Sequence, residues 1–527
     1  MIFDSNEISK ESLNYDICVI GSGPASLSLI SKYLNTKKNV IIIESGNFKY
    51  DKRIQELNDG LVTGFGNYPH HNYSLNAARI RKIGGTSNVW AGWSSPLTKS
   101  DFIKRDWIHN SGWPIQFKDL EKYYLEAQDI LELSQFKYDN SVFNFYSKKL
   151  KKNILKDYDN FFWQFSNPPV NFGKKYIEHI KKSKNIHLYY NLTLLKLLID
   201  KSEKNIEMGL SANHNNNKIK IFAKKYILGC GAIENASILL NSGKNNFNEC
   251  FENVGKYFME HPHCTIGHIK NIKNKNFLKT YKKNRIKNLN NKLFLPGVCL
   301  NHNIQENEMI SNCINVFMNN NLLEIESAVI SRYILSIKGL PISIIDLIKI
   351  YLKNYRKIIN EILSTVSNIL FKKDLYVIAR LEQTPNINSR VYLSNKKNKF
   401  GGYLPYLSWK MNKIDKKTLL LNYENLKETF RLLGMGKLIK PKWLNKVNSD
   451  EWDPNEHNEI FGVGHHMGTT RMSNSSKDGV VDKNLKIHGI DNVYIIGSSV
   501  FPTSGFVNPT LSIVALSLRL FDHLENK

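Results

Sequence analysis

The run Tyr15-Asp-Ile-Cys-Val-Ile and the glycine turn behind it constrain the fold of this chain more than any other stretch. A short apolar run of this kind bounded by glycine reads as a buried strand. It ends in Gly21-Ser-Gly23-Pro24-Ala25-Ser26 and passes into Leu27-Ser-Leu-Ile-Ser-Lys-Tyr-Leu, whose apolar spacing is helical. Asn39-Val-Ile-Ile-Ile-Glu44 then gives a second strand with an acid at its end. Gly21 allows the tight turn, and Gly23 lets backbone amides approach a pyrophosphate. The helix that opens at Pro24 and Ala25 supplies positive potential, and Glu44 is placed to accept ribose hydroxyls. Ser26 stands where a third Gly or Ala is usual, and is small enough for close helix–strand packing. The expected fold class is α/β (α+β overall), built on a doubly wound, Rossmann-like domain that binds FAD or NAD(P).

The far end of the chain carries a second constellation. Gly464-His465-His466-Met-Gly468-Thr-Thr places a His pair in a glycine-hemmed loop, where the backbone must turn or approach something closely. Val493-Tyr-Ile-Ile is a short buried strand running into Gly497-Ser498, and Asn508-Pro509-Thr510 precedes an apolar helical stripe. Thr510 is expected to cap that helix, so the helix's positive end should face whatever lies near Asn508. The His loop and the Asn–Pro loop read as two halves of one site.

Between the ends, Gly84-Gly85-Thr86-Ser87-Asn88 offers a further ring of backbone and hydroxyl donors, although such a stretch taken alone is also an ordinary glycine turn. Residues 186–228 read as strands, with a turn at Asn213-His-Asn-Asn-Asn. Gly229-Cys-Gly231-Ala232-Ile-Glu234-Asn235 repeats the strand–glycine–helix transition. His261 and His263 suggest a metal, but no third ligand accompanies them, and a structural or hydrogen-bonding role is expected instead. Leu335–Leu370 reads as largely helical, with lysines among Leu and Ile. Either an amphipathic helix packed on its own domain or a helix lying on an anionic membrane surface has that pattern, and the first is favoured.

Composition narrows the function. A chain of 527 residues predicts more than one domain. Its net charge of +26 is spread along a Lys-rich sequence with no clustered motif, so a solvated basic surface is expected and nucleic-acid binding is not. Six widely separated cysteines give no metal or redox pair and suit a reducing compartment. Met1–Lys10 has no apolar core, and no run reaches about 18 uninterrupted apolar residues, so a cytoplasmic protein without signal peptide or spanning helix is expected.

Taken together, Gly21-x-Gly23 with Glu44, the Gly84–Asn88 loop, Gly231–Asn235 and the tail from His465 to Asn508 resemble the glucose–methanol–choline (GMC) family of FAD-dependent oxidoreductases, in motif style the pyranose oxidase and sugar dehydrogenase branch. The resemblance is strongest at both ends of the chain and poorest between about 265 and 375. It implies a discontinuous FAD-binding domain over residues 12–100, 183–264 and 455–527. The substrate domain, on an antiparallel sheet, would take 265–454 and part of 101–182.

It also implies oxidation of an alcohol, such as a sugar or polyol, to a carbonyl, with hydride passing to the flavin. His465 would act as general base and Asn508 as its partner. The cofactor would lie against Gly21, Gly23, Pro24, Ala25, Ser26, Glu44, Gly85, Thr86, Asn88, Gly497, Ser498, Asn508, Pro509 and Thr510. Gly497 stands where many members carry Asp, so no carboxylate contact is expected there. Some relatives attach the flavin to a His where this chain has Val89, so FAD should be held non-covalently. No metal is expected. The substrate, the electron acceptor (oxygen, quinone or protein) and the oligomeric state stay open, as do a catalytically lapsed flavin-binding or membrane-peripheral protein and a lyase that retains its flavin.

Overall fold

The computed structural model describes residues 1–8, 11–64, 75–76, 78–142, 155, 157–200, 204–243, 251–270, 272, 274, 277, 280–281, 284–286, 292–318, 375–446 and 460–526. The Leu335–Leu370 segment, expected to be helical, lies outside them.

Ile17–Ile20 are all buried, as a strand covered on both faces requires. The strand Ser12–Ile20 sits inside a sheet ordered Ile2–Asp4, Ile186–Tyr190, Val40–Ile43, Ser12–Ile20, Lys218–Leu228, Asn205–Asn213, Leu192–Asp200. The first five pair in parallel, and the last two join as an antiparallel extension. Lys218–Leu228 is long enough to serve several neighbours. Its beginning pairs with Asn205–Asn213, while Tyr226–Leu228 pairs in parallel with Val493–Ile495 from the far end of the chain. That pairing brings the C-terminal motifs beside the N-terminal ones. Asn205–Asn213 carries little strand signature of its own, because Gly209 and its polar residues interrupt the apolar alternation.

Gly21 turns with φ +89°, and a Cβ there would lie 3.0 Å from the Gly229 carbonyl oxygen. The helix Pro24–Tyr33 follows directly. Ser26 is fully buried, with its hydroxyl directly under Gly229, where a Cβ would come within 2.2 Å of it. The C-terminal helix runs Thr510–Glu525. Thr510 is its first residue rather than its cap: Pro509 occupies that position, and no side chain caps the helix. The proline ring pre-sets the entry angle, so the turn forms without a capping hydroxyl.

A second, antiparallel sheet is ordered Lys437–Ile439, His263–Lys270, Leu375–Leu381, Cys313–Met318, Lys292–Leu300, Tyr158–Phe165, Trp93–Ser94. Side chains alternate across it. Val377, Ala379, Leu381 and Phe317 pack into one core with Leu419, Tyr423, Leu426 and Phe430 of the helix Lys413–Leu432. Ile378, Val316 and Ile314 face the other way and join the core of the parallel sheet. Arg380, on the Ile378 side, therefore points towards the space between the two sheets. A small third sheet pairs Arg390–Lys397 with Tyr403–Trp409 and the latter with Leu61–Gly64.

No helix among the described residues is long and apolar enough to cross a membrane.

Candidate active site

A cleft of about 610 Å³ runs between the parallel sheet and the second sheet, from Gly21, Gly23 and Glu44 to His465 and Asn508. The N-termini of the helices Pro24–Tyr33, Ala232–Ser242 and Thr510–Glu525 all open on it, and none carries a side-chain cap. Uncapped first-turn amides and the helix dipoles together favour negative charge in the cleft. Glu44 is fixed there: its Oε2 accepts from the Ser22 amide at 2.9 Å and the Ser22 hydroxyl at 2.7 Å, and its Oε1 from the Gly46 amide at 2.7 Å. Added Cβ atoms at Gly231 or Gly497 would meet nothing within 4 Å. Backbone is thus laid open to the cleft where a bulky group can press against it.

The Gly85 loop roofs the glycine turn. A Cβ on Gly85 would lie 3.0 Å from Gly23 Cα, and the Gly84 amide donates to the Ser22 carbonyl at 3.1 Å. Thr86 borders the cleft; Asn88 does not. Asn88 is spent holding the loop, donating to the carbonyls of Ile83 at 3.0 Å and Gly85 at 2.7 Å while its oxygen accepts from Asn171. Ser26 likewise packs behind the cleft. Of the residues expected at the cofactor, Gly21, Gly23, Pro24, Ala25, Glu44, Gly85, Thr86, Gly497, Ser498, Asn508, Pro509 and Thr510 border it. Beside them, Arg79 and Arg81 clasp Glu234 at 3.2 and 2.7 Å. Burial pushes that carboxyl up, but Arg81 and Arg79 outweigh it and leave it below the usual carboxylate range.

At the other end the geometry is set by Glu260, which is fully buried. Its Oε1 accepts from the Gly464 amide at 2.9 Å, and its Oε2 from the amides of His261 at 2.9 Å and Val463 at 3.3 Å. One carboxylate thus ties the His261 segment to the His465 loop. Gly468 closes that loop with φ +85°, and a Cβ there would lie 2.1 Å from the Tyr257 carbonyl oxygen. The Asn508 amide nitrogen donates to His465 Nε2 at 3.1 Å. His465 Nδ1 meets His261 Nδ1 at 2.9 Å, and His261 Nε2 reaches the Ser504 carbonyl at 3.1 Å.

These contacts determine the tautomers. A carbonyl only accepts, so His261 carries its proton on Nε2 and presents a lone pair at Nδ1. His465 must then donate from Nδ1, which leaves a lone pair on its Nε2. Burial, followed by the charges of His261, Arg380 and His466, holds His465 well below the ordinary imidazole pKa. His261 is pushed down to about 4, chiefly by burial. The site presents a neutral imidazole whose unprotonated Nε2, accepting from Asn508, can take a proton.

His466 also borders the cleft. Gly464, at φ +82°, bends the loop round Glu260, so the alternation of an extended chain does not apply. Its Nε2 lies 3.8 Å from Glu260, and burial, then Arg79, pushes its pKa down to about 3. His261, expected to play a structural or hydrogen-bonding part, proves to be the partner of His465. Arg380 escapes a reading of the sequence altogether, because nothing in Val-Ile-Ala-Arg-Leu distinguishes a site arginine from one at a strand edge. No cluster of metal-ligating side chains occurs among the described residues.

Comparison with known proteins adds the family. Residues 385–517, which include His465 and Asn508, match the family described as GMC oxidoreductase. The large subunit of fructose dehydrogenase from Gluconobacter japonicus is 27% identical over 154 residues, 29% of this chain and 25% of the relative. The 6'''-hydroxyparomomycin C oxidase of Streptomyces lividus is 43% identical over 58 residues, 11% of each chain. The matched parts thus span a quarter or less of these relatives. Among solved structures, pyridoxine 4-oxidase from Mesorbium loti superposes with a TM-score of 0.53 at 12% identity, covering 98% of this chain and 100% of the other. Formate oxidase from Aspergillus oryzae gives 0.56 at 14% identity, covering 98% and 99%. Residues 385–517, with the C-terminal motifs, thus carry the sequence of the GMC oxidoreductase family, and the fold across nearly the whole chain is the one these oxidases share.

Proposed function

We propose that this protein is an FAD-dependent oxidoreductase that oxidises a CH–OH group, on a sugar, polyol or related alcohol, to a carbonyl. The observation that carries the reading is the lone pair of His465 Nε2, held by a two-histidine chain at the end of a cleft whose other end suits a dinucleotide. The residues present fit FAD. Uncapped helix N-termini suit its pyrophosphate, Glu44 its ribose, and open backbone at Gly231 and Gly497 a group pressed against the sheet. Val89 borders the cleft and has no nucleophilic atom, which supports non-covalent binding. When bound, FAD supplies the acceptor for the two electrons of the alcohol.

The chain's own groups handle the proton and the geometry. Removing hydride from a carbinol carbon needs electron density on its oxygen, so the hydroxyl proton must leave before or with it. His465 Nε2 accepts that proton, becoming a donor on both nitrogens, and His261 Nδ1 stabilises the imidazolium by accepting from Nδ1. The Asn508 amide, freed from the protonated nitrogen, hydrogen-bonds the developing alkoxide and fixes the carbon. The apolar walls formed by Val316, Ile378 and Met318 limit water around the reacting atoms. Fructose dehydrogenase and the hydroxyparomomycin oxidase, by their names enzymes of sugar-like alcohols, agree with this substrate class.

Anaerobic addition of a panel of alcohols to the FAD-loaded protein tests the reading. Flavin absorbance should bleach with at least one of them. A protein that keeps its flavin and stays coloured against the whole panel is a binding protein or a lyase, and the proposal is then wrong.

A further inference from the structure

We propose that Arg380 is the anion-binding residue of this site and that the alcohol oxidised carries a carboxylate, as a hydroxy acid or sugar acid does. The inference rests on the oxidoreductase reading above and names the substrate class within it.

Arg380 is only 7% exposed and borders the cleft. Its guanidinium carbon lies 4.0 Å from the centre of the Trp93 ring and 4.8 Å from that of Trp163, so aromatic faces hold it in place without neutralising it. Its Nε has no hydrogen-bond partner among the described residues. Across the strands it pairs with His263 and Ile314, and its neighbours on the same sheet face are Ile378 and Val316. Among the described residues no carboxylate answers it.

Glu382, two residues further on, is already claimed by Arg105 at 2.5 and 2.7 Å and by the Asn312 amide at 3.0 Å. The other cleft arginines, Arg79 and Arg81, share Glu234. The nearby histidines are all held neutral, His261, His263 and His465 each pushed below the ordinary range with Arg380 among the causes. Burial lowers Arg380 itself to about 9, which leaves it charged at neutral pH.

A buried cation without a counter-charge is costly, and the cost is recovered when an anion arrives. The guanidinium's planar fork suits a carboxylate in particular. Arg380 and His465 border the same cleft, so a substrate anchored by its carboxylate on Arg380 lies in the cavity that holds the acceptor nitrogen. The carboxylate is a handle only: the C–H and O–H bonds of the carbinol break, the proton goes to His465, the hydride goes to the acceptor that bound FAD would supply, and the carboxylate leaves as it came. Ile378 and Val316, its neighbours on the sheet face, offer nothing to a polar head, so the guanidinium is the group there that an acid would engage.

The test uses the FAD-loaded protein and flavin difference spectra, which report binding without turnover. Acetate, glycolate and gluconate are titrated against the neutral counterparts acetamide, 2-hydroxyacetamide and glucose. Each acid should bind about 10-fold or more tightly than its counterpart, the scale of one charge-assisted contact. Arg380→Gln should lose that preference and Arg380→Lys should keep part of it, with FAD content and melting temperature checked in both. Should Arg380→Gln not fold, the comparison within the unaltered protein still decides. Equal binding of acids and neutral counterparts overturns the proposal. Acid preference in a protein that no alcohol bleaches would leave Arg380 its role and reject the oxidoreductase reading. Bleaching by alcohols without acid preference would do the reverse.

Discussion

His261 and His465, 204 residues apart in the chain, meet nitrogen to nitrogen at 2.9 Å, and the Ser504 carbonyl behind His261 dictates which of them donates. The direction of that hydrogen bond is what leaves His465 Nε2 unprotonated and facing Asn508. A chain ending on a donor instead would have turned the lone pair away from the cleft.

His465→Ala should retain FAD yet reduce it slower by about 10²–10⁴, the usual contribution of acid–base catalysis. Asn508→Ala should lose less, since it positions rather than accepts. His466→Ala, whose ring faces Glu260, should stay closer to the parent. Stopped-flow reduction with a saturating alcohol measures all of these. Equal rates for parent and His465→Ala would pass the role to His466.

His261→Phe keeps a ring in place but removes the acceptor at Nδ1. His465 is then free to adopt the other tautomer, and reduction should slow, by less than the loss expected of His465→Ala. The His261 lone pair also stabilises the imidazolium of His465, so its loss should move the acid limb of the pH profile downwards. A merely structural role for His261 would lower the rate without moving that limb.

The pH dependence has a definite sign. Burial first, then its charged neighbours, holds His465 well below the ordinary imidazole range, so it stays neutral and competent on acidification past about pH 6.5. The rate of flavin reduction should therefore be nearly level from about pH 7.5 to about 6 and decline only at lower pH, where the imidazole gains its proton. A midpoint at about 6.5 would mean that burial does not govern this group.

Acid precipitation should release the flavin into a yellow supernatant. Val89 cannot form a bond to it, and Cys230, which also borders the cleft, donates to the Ile20 carbonyl while burial raises its thiol away from the thiolate form. Colour retained in the pellet would refute non-covalent binding.

Arg105 and Glu382 are 2% and 0% exposed, a sealed charge pair just beyond the strand Leu375–Leu381. Arg105→Met leaves Glu382 buried and unpaired and should cost about 3–5 kcal/mol of stability. Adding Glu382→Leu should restore a good part of it, because the desolvation penalty disappears with the charge. Urea denaturation midpoints of the two variants give the comparison.

The local features of this protein are legible in its sequence. Apolar runs of strand length ending in glycine locate the Ser12–Ile20 and Val40–Ile43 strands and the helix between them, since backbone periodicity and glycine's freedom at Gly21 act over a few residues. The His loop and the Asn–Pro loop are visible for the same reason. What only the tertiary structure decided depends on contacts across the chain. The pairing of Tyr226–Leu228 with Val493–Ile495 places the two ends of the chain in one sheet. Glu260 draws the His261 segment onto the His465 loop, so a histidine that looks structural in the sequence orders the proton chemistry. Asn88, which the resemblance places at the cofactor, is claimed instead by the carbonyls of its own loop, whereas Ser26 packs under Gly229 as its small size allows. Arg380 carries no local signal at all: its significance is the absence of a nearby carboxylate among the described residues, and a missing counter-charge is a property of the folded surroundings, which no sequence spacing records.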